Sequence, residues 1–174
     1  MITDKIKFPP HYAKADSKTF ASAGVESKGL SPERIWRNLA NISVWSRLYP
    51  DIVDINFEDS SDNDPHLFDK AQFYMDMANG NKIRCQVIEY TMPKDDRVGR
   101  LAFHGTVYNH DGKVINEMTA EAIVGVPDNE KRMDLVVEGA LSFKEETADA
   151  PSNDRGAKLE TALRELVKWS EKHD

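Results

Sequence analysis

Four groups of side chains in this 174-residue chain are of types that do chemistry. His104 comes first, because an imidazole titrates near neutrality and moves a proton in either direction. It shares one phase of an alternating run with Arg100 and Tyr108. An acid–base role needs that phase to face a pocket. The opposite phase (Leu101, Phe103, Gly105, Val107) is the more apolar, so His104 is expected to face solvent. Glu117 and Glu121 are a second candidate, a carboxylate pair on one side of a strand. An extended backbone sets them about 13 Å apart. Inverting hydrolases hold their carboxyls at roughly 6.5–9.5 Å, so this pair reads as a solvated face.

Asn116 is a polar residue in an otherwise apolar phase. A buried amide there needs partners, from a ligand, a water or nearby backbone, whereas a place at the strand end leaves it exposed. Exposure at the strand end is the preferred reading. His66, His104, His110 and Cys85 share no metal-ligand spacing, so no metal site is expected. Cys85, with no histidine close in sequence, reads as a small core residue rather than a nucleophile. No residue carries a catalytic assignment, and nothing in the sequence calls for a cofactor.

The totals narrow the setting. A net charge of −7 and the lack of a Lys/Arg cluster interleaved with aromatics argue against nucleic acid as a partner. One cysteine excludes an internal disulfide framework and fits a reducing compartment. The first residues have no apolar signal-like core, and no apolar run reaches membrane-spanning length, so no membrane insertion is expected and cytoplasmic location is the default.

The elements that must position these side chains follow from period and punctuation. Residues 1–17, broken by Pro9-Pro10, read as an arm, and 18–174 as a single domain. Residues 18–28 alternate as a strand. Ser31 caps a helix whose first residue is Pro32, with Ile35, Trp36, Leu39 and Ala40 on one face. A second short helix starts near Ser43 and stops at Pro50. Period two then takes over, predicting strands over Ile52–Glu58, Leu67–Ala78, Lys82–Met92, Arg97–Tyr108, Lys113–Val126 and Lys131–Phe143. Turn residues separate them, as at Asn79-Gly80 and Asp111-Gly112, which gives an antiparallel meander. A helix from about Ser152 to His173 closes the chain, with Leu159, Ala162, Leu163, Leu166, Val167 and Ser170 as its buried stripe.

The inward phases are Val114, Asn116, Met118, Ala120, Ala122 and Val124 on one strand, and Met133, Leu135, Val137, Gly139, Leu141 and Phe143 on the last. Small residues among them either draw the helix close or leave a cavity. A cavity is the expectation, because one helix does not readily fill the concave face of a six- or seven-stranded sheet.

The order of these pieces resembles the START-like, or SRPBCC, helix-grip superfamily over roughly residues 18–172. The stretch SPERIWRNLANISVWSRLYPDI, with Trp36, Trp45 and Pro50, looks like its polyketide cyclase/dehydrase-type members. The resemblance implies an α+β helix-grip fold: a curved antiparallel sheet wrapped around a long C-terminal helix, with two short helices after the first strand. It also implies a cavity that takes a small hydrophobic molecule such as a lipid or polyketide. Trp45, Tyr49, Tyr90, Phe103, Asn116, Met118, Leu135, Leu163 and Leu166 are the expected cavity-lining residues. A carrier or sensor is the leading reading. A cyclase or dehydratase is the alternative, and would need Arg84, Tyr90, His104 or Asn116 to point into the cavity. A protein-interaction or co-chaperone-like module is the third, with its partner left open.

Overall fold

The structure, a computed structural model, describes residues 19–27, 29–59, 64–94, 97–125, 135–143 and 152–173. For 19–22, 27, 135–143 and 152–156 it describes the backbone alone. The arm expected over 1–17 lies outside the described residues.

The first strand, β1 (Thr19–Ser27), leads to helix α1 (Pro32–Leu39). The Ser31 hydroxyl accepts from the Arg34 amide at 3.3 Å, and Pro32 supplies a preset φ where a helix has no use for an N–H. Ile35, Trp36 and Leu39 are buried along one face. A 3-10 turn, Ile42–Val44, is capped by Asn41, whose Oδ1 accepts from the Ser43 amide at 3.0 Å. It runs into the single turn α2 (Trp45–Leu48). Tyr49 is extended at φ −131°, as the residue before a proline prefers, and Pro50 ends the helix.

Six further strands follow: β2 (Ile52–Phe57), β3 (Gln72–Met77), β4 (Lys82–Thr91), β5 (Gly99–Tyr108), β6 (Val114–Gly125) and β7 (Leu135–Phe143). Together with β1 they form one sheet in the order β1-β7-β6-β5-β4-β3-β2, with every neighbouring pair antiparallel. The third strand starts later than its hydrophobic pattern suggests. Lys70 sits at φ 65°, a left-handed conformation that interrupts extended chain, and the Leu67 amide is taken by the Ala40 carbonyl at 2.7 Å.

Register shifts decide which side chains face inward, and two of them bear on the residues singled out in the sequence. One lies between Val87 and Glu89, after which Tyr90 pairs with Leu101 and takes the concave face. The other sets Asn116 opposite Val107 but Val114 opposite Tyr108. Val114 therefore leaves the inward phase and is 58% exposed, contrary to the alternation read from sequence.

Helix α3 (Ser152–Lys172) lies over the concave face with Leu163, Leu166 and Ser170 buried. Its C-terminal carbonyls, which have no partner within a helix, are met by α1. Arg34 donates through Nη2 to the Glu171 carbonyl at 3.1 Å and through Nε to the His173 carbonyl at 3.4 Å. Asn38 Nδ2 donates to the Ser170 hydroxyl and to the His173 carbonyl, each at 3.2 Å.

Candidate functional site

Between α3 and the sheet lies a chamber of about 170 Å³. The concave wall is built by Met75 and Met77 of β3, Ile83 of β4, Leu101 and Phe103 of β5, and Met118, Ala120 and Ala122 of β6, with Glu121 bordering it between the two alanines. Leu159, Ala162, Leu163 and Leu166 of α3 cover it, one or two per helical turn. Leu39, Trp45, Leu48, Tyr49 and Ile52 close the end beside the short helices.

The small residues of the sheet have two fates. Ala120 and Ala122 line open space. Gly105 does not: a Cβ there would come within 2.7 Å of the Ile83 side chain and 3.2 Å of Met118, so neighbours already occupy that room. Trp45 forms the aromatic end of the chamber. Its indole N–H donates to the Leu39 carbonyl at 2.8 Å, so its one polar atom is satisfied. Its ring stands 5.6 Å from Phe73 and 5.5 Å from Phe103, and those two are 5.3 Å apart. An apolar space of this kind gives water too few hydrogen-bond partners to hold it. A cavity of about 150 Å³ lined by Leu, Ile and Phe stays dry and accepts benzene.

A second hollow, about 320 Å³, shares Leu48 and Tyr49 with the chamber's lining. Pro50, Asp51, Ala157, Lys158 and Thr161 complete it. Lys158 Nζ donates to Asp51 Oδ2 at 2.8 Å, joining α3 to the corner before β2.

Of the residues expected to line the cavity, Trp45, Tyr49, Phe103, Met118, Leu163 and Leu166 do border the chamber. Leu135 opens β7, where the side chains lie outside the described residues. Tyr90 and Asn116 are on the concave face but not in the chamber wall. Tyr90 is committed to α1: its hydroxyl accepts from the Trp36 indole N–H at 3.3 Å and the rings meet edge-on at 5.3 Å. Asn116 is 6% exposed rather than open at a strand end, and its Oδ1 accepts from the Glu117 amide at 2.9 Å. Sequence reading missed Ile52, Leu48, Leu101 and Leu159 as wall residues, although their apolar phase was the available signal.

The polar residues that could do chemistry gather on the opposite face of β5 and β6. The expectation of a solvated carboxylate face is overturned for Glu121, whose side chain is 0% exposed. Arg100 Nη1 donates to Glu121 Oε1 at 3.0 Å. Alternation separates two faces of a strand, but it cannot tell whether the second face is covered. His104 Nδ1 lies 3.2 Å from Thr119 Oγ1, and its Nε2 lies 3.9 Å from Glu117 Oε1. Burial pushes the imidazole below its ordinary titration range, and the Glu117 carboxylate partly opposes that. A hydroxyl, an imidazole and a carboxylate in line form a proton relay in principle. Here they lie across the sheet from the chamber and do not reach anything held in it. Arg84 likewise turns away, toward Glu58 at 3.8 Å and the Tyr108 ring. None of the four groups a cyclase would use borders the chamber.

Cys85 is buried, and desolvation raises its thiol well above the usual range, so it is a packing residue and a poor nucleophile. Among the described residues no three His, Cys, Asp or Glu side chains converge as metal ligands do, and no helix is long and apolar enough to cross a membrane.

The sequence matches no family model and no curated protein. Solved structures do match. Protein jhp0584 from Helicobacter pylori superposes with a TM-score of 0.70 at 21% identity, covering 95% of each chain. DynU16, a protein of the dynemicin biosynthetic locus, gives 0.57 at 10% identity over 88% of this chain and 47% of its own. Ara h 8.0201 gives 0.53 at 10% identity over 88% of this chain and 99% of its own. The likeness is one of fold: an antiparallel sheet gripping a C-terminal helix.

Proposed function

We propose that this protein binds a small hydrophobic molecule between the sheet and α3, as a carrier or sensor. The observation that carries this is the chamber itself. A core at normal density leaves few voids larger than a water molecule. This one keeps about 170 Å³ open at the centre of its main packing interface. Its walls are nearly all apolar, and the one aromatic N–H at its end is already bonded to backbone. Such a site binds by excluding water from apolar surface, at roughly 25 cal/mol per Å².

The cyclase alternative loses support, because Arg84, Tyr90, His104 and Asn116 are all engaged outside the chamber wall. Native mass spectrometry of the protein purified from its own host tests the carrier reading. The expected result is a bound apolar species released on unfolding. Ligand-free protein that also takes up no apolar probe contradicts it.

A further inference from the structure

We infer that the ligand is an amphiphile: an apolar body in the chamber and one uncharged polar end in the adjoining hollow at Asp51 and Lys158. The inference rests on the chamber being the ligand site. Two observations carry it beyond that reading. Among the described residues the chamber offers almost nothing to a polar group. Apart from Glu121, whose Oε1 accepts from Arg100, its wall is aliphatic, aromatic and thioether, and the Trp45 N–H is spent on the Leu39 carbonyl. Burying an unpartnered hydroxyl or amide there costs a few kcal/mol, and an ion more. A ligand's polar group therefore has to lie outside the chamber.

Among the described residues, the hollow beyond Leu48 and Tyr49 is an adjoining space with polar side chains at its rim: the Asp51 carboxylate, the Lys158 ammonium and the Thr161 hydroxyl. Its electrostatics then select the end group. Asp51 and Lys158 neutralise one another across 2.8 Å, each with a side chain 45% exposed. An anionic end gains Lys158 but meets Asp51, and a cationic end has the reverse problem. A hydroxyl or carbonyl end leaves the pair intact and still finds donors and acceptors.

Calorimetric titration of the full-length protein with octan-1-ol, octanoate and octylammonium tests this. Wild type is expected to bind the alcohol more tightly than either ion. Asp51→Asn should then raise octanoate affinity relative to the alcohol about three- to tenfold, and Lys158→Gln should do the same for octylammonium. That is the scale an ion pair partly in water provides. Both positions are half-exposed, so the variants fold. If wild type binds the alcohol but the charge preference moves in neither variant, the polar end lies elsewhere and the inference fails while the chamber reading stands. A wild-type preference for an ion overturns the uncharged end. No binding of any of the three overturns the chamber reading and this inference together.

Discussion

The two faces of the β5–β6 ribbon use the same strands to opposite ends. On the concave face Leu101, Phe103, Met118 and Ala120 border open space. On the other, Ala102, Ile123, Thr119 and Glu121 are buried, and the polar members are tied into pairs by Arg100 and His104. Burial alone therefore does not mark a binding site. The concave face buries apolar groups that lack neighbours on one side and forgo dispersion contacts. The convex face buries polar groups that have partners. The first arrangement leaves room for a ligand, whereas the second is a structural commitment that tolerates little change.

That contrast is broken most strongly at Arg100. Replacing it by Met leaves the Glu121 carboxylate buried without its guanidinium. A loss of about 3–5 kcal/mol in urea unfolding is expected, with binding of an apolar probe unchanged in the protein that remains folded. An unaltered midpoint would remove the convex face from the stability account. Leu166, fully buried in the helix that covers the chamber, should cost about 3 kcal/mol on truncation to Ala. In contrast to Arg100→Met, this variant should admit larger probes, because the deleted methyls enlarge the chamber. Equal probe selectivity in the two variants would show that Leu166 does not shape the site.

The smallest effect concerns pH. His104 titrates below its ordinary value because burial disfavours its charged form. Its contribution to stability is therefore complete above about pH 6.5, the unfolded value, and falls as pH drops from there through the lowered folded value. A His104→Gln variant should flatten the unfolding midpoint over that acid range. A variant whose pH dependence matches wild type would place the titrating group elsewhere.

Much of this architecture is legible in the sequence, for identifiable reasons. Ser31-Pro32 marks a helix start, Asn79-Gly80 and Asp111-Gly112 mark turns, and Leu159 to Ser170 repeats at helical spacing. Those signals are local, and they place Trp45, Phe103, Met118 and Leu163 on the inward side. The errors come from features without a local signal. The register shift near Tyr108 sends Val114 outward while Asn116 stays in, and Tyr90, expected at the cavity, reaches the concave face but is taken up by Trp36. A one-residue slip reverses every side chain beyond it. Glu121 was misread for a different reason, since its burial depends on what lies over the far face rather than on its own strand. The hollow at Asp51 and Lys158 joins residues 107 positions apart, beyond any spacing rule.

The central claim is that the space under α3 is a binding site and not a packing defect. A fluorescence titration with N-phenyl-1-naphthylamine, run on wild type and on Ala120→Leu, tests it most directly. Ala120 borders the chamber, so leucine there fills it from the sheet side, with stability held or raised by up to about 1 kcal/mol. The account predicts saturable, blue-shifted emission with wild type and at least a tenfold weaker response from the variant, at unchanged circular dichroism. No enhancement with wild type, or equal binding by both proteins, would contradict it.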